Sequence, residues 1–283
     1  MSANNLVNTK ADIFSALVQK ELLETASLSP FVEDFSAMAI KGAKSVSIPK
    51  LSSFTVQDRA FGAASTENTP LTDAADEILL NKNKIILFGY DAADEMQSSI
   101  DYQSMSILRA ASAHGRQVNT DILTMWDSIA GLNINGAIGA DITINNILDM
   151  REFLMANFAD MTKAVLCIAA DQEKAMLKLP EFSRYDYRGN GTAPVVNGTI
   201  GFVYGVPVVI NQQVGAQQAY MVEKSGSAIA FQRNAKVAED SALRYGTDGK
   251  EVAVDQTYGV GGLQLGESGV GPTESPLIAK LKD

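Results

Sequence analysis

The sequence predicts an α+β fold in which a protruding hairpin, a long helix and an α/β lobe follow one another along the chain. Three observations predict it. Two runs with two-residue apolar alternation, 45–56 and 78–90, bracket a long connection that has no periodicity of its own. A helical apolar pattern then runs from about residue 92 to residue 126. Beyond it lie a continuously apolar run at 163–169 and a turn signal, Gly246-Thr247-Asp248-Gly249, between two further strand-like runs.

Residues 11–26 place Ile13, Phe14, Leu17, Val18 and Leu22 at helical spacing, with Asn8 or Thr9 as caps, and Pro30 ends the pattern. This amphipathic helix needs a surface to cover, on its own chain or on another. In the first strand-like run, Val46, Ile48, Phe54 and Val56 alternate with polar residues, and Pro49 makes it an edge or bent strand. In the second, Ile78, Leu80, Ile86, Phe88 and Tyr90 share one parity. A single long hairpin is the expectation, with residues 59–77 at its tip. One arm of roughly 17 residues would reach about 55 Å. A globular chain of this size has a radius of gyration of about 19 Å. Such an arm cannot be buried on its own subunit.

The helix that follows carries Met96, Ile100, Ile107, Ala111, Val118, Ile122 and Met125 at three-, four- and seven-residue spacings. Over about 35 residues it would be about 50 Å long, a spine. Residues 131–142 read as a Gly-rich connector. Residues 143–160 read as a helix with Ile147, Leu148, Leu154, Met155 and Phe158 inward. The run 163–169 is a buried central strand, after which Asp171 caps a helix that stops before Pro180. Residues 182–198 are a polar, Gly-rich loop, 201–210 strand–turn–strand, and 219–224 another strand. Residues 225–233 are a short helix or turn, and 235–245 and 250–260 form a hairpin; the remainder reads as a Gly- and Pro-containing tail.

Composition narrows the function. The 283 residues are 46% hydrophobic and 20% charged, enough for a large core. A net charge of −10 without any basic run argues against a general phosphate-backbone binder. Cys167 and His114 are the only residues of their kinds, which excludes disulfide frameworks and Cys- or His-rich metal centres. The N-terminus lacks the apolar core of a signal peptide, and no apolar window of about 18 residues occurs.

The chemical motifs fail on inspection. Gly266 to Thr273 matches a phosphate loop except that Pro272 replaces the lysine, removing both the ammonium and a backbone N–H. The glycines at 259–266 lack a βαβ setting. His114 has no GxSxG elbow to serve and reads as a packing or surface histidine. Glu67, Asp73, Asp76 and Glu77 lack Ca²⁺-loop spacing, so a solvated or interface-pairing role is expected. No catalytic, cofactor-binding or metal-binding constellation emerges.

The order of elements, and the wording SIPKLSSFTVQDRAFGA, TDAADEILLNKNKIILFGYDAADEMQ, VLCIAADQEKAMLKLPEF and GFVYGVPVVINQ, resembles the major capsid proteins of tailed bacteriophages, with the Hong Kong 97-type fold. The resemblance implies an N-terminal arm (1–44), an extended loop (45–91), a peripheral domain with the spine helix (92–131 and 229–262), an axial domain (132–228) and a C-terminal tail (263–283). It also implies a subunit of hexamers and pentamers that close into an icosahedral shell around double-stranded DNA, bound without sequence specificity. Inter-subunit contacts are expected from Arg59, Phe61, Glu67, Asp73, Asp76 and Glu77 of the loop, with Arg109 and Arg116 of the spine helix as acceptors on a neighbour. Tyr245, Asp248 and Lys250 would lie near contacts where three capsomers meet, and Arg184, Tyr185, Tyr187 and Arg188 near the capsomer centre.

Expected partners are a portal, a decoration protein and a separate scaffolding protein, since only about ten residues precede the first helix. Assembly would take place in the host cytoplasm and the product would be a virion. Lys82, Lys84, Asn81 and Asn83 match no known cross-linking site, and no such reaction is assigned. Two other readings stay open at this point: an encapsulin-type nanocompartment, which shares the fold, and a soluble α/β nucleotide-binding enzyme.

Overall fold

A computed structural model of the chain describes residues 28–51, 58–62, 73–91, 102–135, 141–179, 201–241, 249–263 and 277–282. In chain order these form β1 (Glu33–Asp34), β2 (Ser45–Leu51), β3 (Asp73–Leu79), β4 (Lys82–Tyr90), α1 (Tyr102–Ile129), β5 (Leu132–Asn135), α2 (Ile144–Ala156), β6 (Ala164–Ile168) and α3 (Ala170–Lys178). Then come β7 (Phe202–Val203), β8 (Val206–Ile210), β9 (Ala219–Glu223), β10 (Ser227–Ser241), β11 (Lys250–Gly262) and β12 (Ile278–Lys282). The strands make a two-stranded sheet β2-β3, a four-stranded sheet β1-β10-β11-β4 and a six-stranded sheet β5-β12-β9-β6-β8-β7.

Strand parity shows how the layers stack. Along the six-stranded sheet, Ala164, Leu166, Ile168, Met221, Ala279 and Leu281 face α2 and α3. The alternate residues Val165, Cys167, Tyr220, Val222 and Ile278 face α1, through Val118, Ile122 and Trp126. On its far side α1 meets the four-stranded sheet: Tyr258 and Ile229 share the same core. The spine helix is therefore clamped between two sheets. Its 28 residues span about 42 Å. It ends at Ile129 rather than Trp126, and Ala110 is buried where the sequence placed Ala111 inward. The part of the expected helix from 92 to 101 lies outside the described residues.

Buried polar groups fix the helix against its sheets. His114 Nε2–H donates to the Val254 carbonyl at 3.1 Å, so the single histidine is a packing residue. Trp126 Nε1–H donates to Ser227 Oγ at 3.1 Å. Asp121, buried on α1, accepts from the Tyr258 hydroxyl at 2.6 Å and pairs with Lys82 Nζ at 3.4 Å. Burial first, and then the adjacent Asp121 carboxylate, push the Tyr258 hydroxyl well above the usual tyrosine range.

Several expectations are corrected. The returning arm 78–90 is not one strand: β3 pairs with β2 (Ser45↔Leu79 to Leu51↔Asp73), and β4 leaves it to pair with β11 (Lys250↔Tyr90 to Tyr258↔Lys82). The break at Leu80–Asn81 keeps the apolar parity of both strands, so alternation cannot register it. Residues 82–90 of the expected extended loop thus belong to the four-stranded sheet. Gly259 of β11 makes the crossing possible: a Cβ there would sit 2.3 Å from the Leu79 carbonyl oxygen.

The expected C-terminal tail holds a core strand. β12 lies between β5 (parallel) and β9 (antiparallel), with Leu277 to Leu281 all buried. It is short and has a lysine at its centre, which hides its apolar character. Lys280 is only 2% exposed; its ammonium pairs with the Asp127 carboxylate of α1 and lies 5.8 Å from the Tyr220 ring centroid. Burial pushes the Tyr220 hydroxyl up to about 12.

Four smaller corrections share one cause, the dominance of tertiary packing over local signals. The Gly-rich connector contains β5, recruited as the parallel neighbour of β12. Residues 227–233 are the start of the 15-residue strand β10, held on one side by β11 and on the other by β1. Asp171 is not the N-cap, because α3 starts directly from the end of β6 with Ala169 as cap. Its carboxylate instead accepts from the Gln172 and Gln217 backbone N–H groups, at 3.0 and 2.8 Å. In α2, capped by Thr143, the inward residues are Ile147, Met150 and Leu154; Leu148, Met155 and Phe158 point outward.

Candidate assembly surfaces

The hairpin β2-β3 has two unlike faces. Val46, Ile48 and Ile78 lie on one face and reach a small core with Ala39, Ala228, Ala230 and Leu263. The opposite face presents Ser47, Pro49, Ala75 and Glu77, all exposed. Asp76 is half-buried on the core-side face, opposite Ile48. Beyond the paired strands, Arg59 and Phe61 are exposed, and Phe61 is open to solvent on every side. Among the described residues, the hairpin meets the body through Val46, Ile48 and Ile78.

The other predicted contact residues are scattered. Arg109 and Arg116 are exposed on α1; the Arg116 carbonyl accepts from Gln213 Nε2 at 3.0 Å, which ties the helix to the six-stranded sheet's loop. Lys250 is exposed at the first position of β11, opposite Ser241 and Tyr90. Glu67, the Asp73 side chain, Tyr245, Asp248, Arg184, Tyr185, Tyr187, Arg188 and the arm residues Ile13, Phe14, Leu17, Val18 and Leu22 lie outside the described residues.

Two surfaces escaped the sequence reading. On the four-stranded sheet, Ile85 and Leu87 of β4 stand exposed on the face turned away from α1. On the lobe, Leu148 and Met155 of α2, Phe158 after it, Phe202 of β7 and Tyr204 of the following turn are each exposed. Leu148, Arg151 and Met155 lie on one stripe of α2. The Arg151 guanidinium donates to the Tyr204 carbonyl, which joins that stripe to the turn between β7 and β8. In that turn Tyr204 (φ 49°) and Gly205 (φ 83°) both adopt left-handed conformations, as a two-residue hairpin loop requires.

The end of α2 is a Schellman motif: Ala159 N–H bonds the Leu154 carbonyl at 3.0 Å, and Phe158 N–H the Met155 carbonyl at 3.1 Å. Glycine is the usual occupant of its left-handed position. Here it is Phe158, φ 59° and 76% exposed. The sequence signal was available only in part, as Asn157-Phe158 with no glycine to mark the stop.

A hairpin arm, a spine helix clamped between two sheets and an α/β lobe define a Hong Kong 97-type phage capsid subunit. Solved structures share this fold over nearly the whole chain. A chain from Mycobacterium phage Che8 matches with a TM-score of 0.76 at 18% identity, covering 99% of this chain and 98% of that one. The capsid structure of Cyanophage P-SCSP1u matches with 0.73 at 12% identity, covering 99% and 94%. The capsid of a native GTA particle computed with C5 symmetry matches with 0.71 at 14% identity, covering 99% of each chain. No curated protein sequence matches the chain. The family model described as phage capsid protein matches residues 14–245, and the chain belongs to that family.

Proposed function

We propose that this chain is the major head protein of a tailed phage, assembling as hexamers and pentamers into an icosahedral shell around double-stranded DNA. The observation that carries the reading is the match of nearly the entire chain, hairpin included, to phage capsid subunits. The role is structural, not catalytic. Membership of the phage capsid family favours a virion over a cargo-holding nanocompartment. The net charge of −10 suits a wall that confines DNA without adsorbing it. Portal, scaffold and decoration proteins would be its partners, and the host cytoplasm its place of assembly.

In this reading residues 45–79 form the extended loop and reach a neighbour, where Glu67, Asp73, Asp76 and Glu77 meet Arg109 and Arg116. Lys250 sits where three capsomers approach, and residues 184–188 at the capsomer centre. Expression of the full chain in bacteria, with sedimentation and negative-stain imaging, tests the reading. Closed particles or rings are expected; a chain that stays monomeric at every concentration overturns it. Neutralising Glu67, Asp73 and Glu77 together, with the half-buried Asp76 left in place, should raise the protein concentration needed for particles and leave subunit melting unchanged.

A further inference from the structure

We infer that the N-terminal segment 11–26 docks as a helix on the uncovered half of α1 in its own subunit. The amphipathic pattern Ile13, Phe14, Leu17, Val18 and Leu22 needs a surface, and its sequence leaves open whether that surface is on its own chain or on another. This docking does not depend on the shell reading.

One stripe of α1 runs through Leu108, Ala111, Gly115, Asn119, Ile122 and Trp126, at three- and four-residue steps. Its C-terminal part is core: Ile122 and Trp126 are fully buried against the six-stranded sheet. Its N-terminal part is surface. Leu108 is 62% exposed, Ala111 and Gly115 are exposed, and among the described residues no atom lies within 4 Å of where a Gly115 Cβ would stand. The change from core to surface falls near Asn119.

The described chain begins at that point. Leu28 is fully buried with Val118 and Ile122, and its N–H donates to Asn119 Oδ1 at 3.0 Å. From there the chain heads for the C-terminal half of α1. Val32 joins the same core, and Glu33 pairs with Ala228, next to the Ser227 whose hydroxyl accepts from Trp126. Continued backwards on the same line, the preceding residues would run from Asn119 toward Gly115 and Leu108. As a helix the segment 11–26 is about 24 Å long. The stretch of α1 from Tyr102 to Asn119 is about 26 Å long, so the two match.

Charge fits the same placement. Glu21 lies three and four residues beyond Val18 and Leu17, and so interrupts the apolar stripe of the segment. Once that face is covered, its carboxylate needs a cation. Counting back from Leu28 at Asn119 brings Glu21 level with Ser112, between Arg109 and Arg116, which stand exposed along one margin of the α1 stripe. A guanidinium has five donors, enough to hold Glu21 and still take a loop carboxylate of a neighbour. Attachment at Leu28 favours the subunit's own spine over another copy's, because a tethered segment has a high effective concentration.

Hydrogen exchange of the full chain, read by mass spectrometry below the concentration at which particles form, tests the docking. In wild type the amides of residues 11–26 should be protected, and equally so at two dilutions. Leu17→Asp in the segment and Leu108→Asp on the spine should each lower that protection at least about tenfold, the loss expected of one buried leucine. Protection of β6 and β9 should stay unchanged; if Leu108→Asp loosens the lobe as well, Leu17→Asp alone decides.

Exchange of residues 11–26 at free-chain rates in wild type overturns the docking. Protection that survives Leu17→Asp, or Leu108→Asp in a chain whose lobe stays protected, also overturns it, because the segment would then lie on another surface. Protection that appears only as particles form assigns the segment to a neighbouring copy and overturns it too. None of these outcomes touches the shell reading, and a wild type that forms no particles leaves this test unchanged.

Discussion

The lobe and the hairpin arm place opposite demands on their surroundings. In the lobe, β6 and β9 are buried at every residue, and the six-stranded sheet has helices on both faces. Among its described residues, the arm β2-β3 has one apolar face, which meets the body through Val46, Ile48 and Ile78. The distal half of β10, residues 233–241, is exposed throughout, and β1 pairs with the other end of the strand, at Ala228 and Ile229. One region carries its own core; the other is long, thin and open along an edge, which in a free protein would invite unwanted strand pairing. A shell resolves the conflict. On the proposed function, its subunits keep one self-sufficient lobe and leave their extensions for neighbours to complete.

The comparison breaks most sharply if the lobe survives loss of a central strand. Removing residues 277–283 takes β12 from between β5 and β9, and should cost more than about 5 kcal/mol, the whole stability of an ordinary domain. Loss of near-UV circular dichroism is the expected readout. A less drastic cut is Asp127→Ala, which removes the carboxylate that pairs with the buried Lys280 ammonium. A cost of about 2–3 kcal/mol is expected in urea unfolding, reduced from the fully buried case because Asp127 is 48% exposed. Adding Lys280→Met should recover most of it.

At the junction of the two regions, Gly259→Ala should cost about 1–3 kcal/mol by forcing its Cβ against the Leu79 carbonyl. Its larger effect should be on assembly, because the arm must tilt to make room. Alkali addresses the helix clamp. Tyr258 and Tyr220 have hydroxyl pKa values raised in the folded chain, so folding favours their protonated forms. Their contribution is complete below the unfolded tyrosine value of about 10 and declines as pH rises above it. The urea midpoint should therefore fall between about pH 10 and 12, and Tyr220→Phe should flatten that fall. The smallest effect belongs to the arm itself: Glu77→Gln should change subunit stability by less than about 0.5 kcal/mol, whatever it does to particles.

What the sequence made legible follows the same division. The run Val165–Ile168 announced its burial by unbroken apolarity, and the strand–turn–strand at 202–210 by Tyr204-Gly205 between short apolar runs. Interactions far apart in the chain were not legible. Nothing near Lys280 says that Asp127 neutralises it, and nothing near Leu132 says that β12 will pair with it. The split between β3 and β4 was hidden because parity runs straight through it. Of the contact residues, the loop and spine positions came from resemblance to a family, whereas the exposed apolar residues of the lobe had no local signature. Leu148, Met155 and Phe158 have the spacing of an inward stripe, and only the observed helix rotation places them outside.

The position of β12 has a consequence for the order in which the molecule is made. Its neighbours β5 and β9 leave the ribosome first, and between them the sheet has a vacant lane. The whole hairpin β10-β11 must be synthesised before the strand that fills that lane emerges. The nascent lobe therefore carries two unpaired strand margins for that interval, a period in which a chaperone or a short mimic of residues 277–282 could occupy the gap. Completion of the lobe then follows completion of the four-stranded sheet.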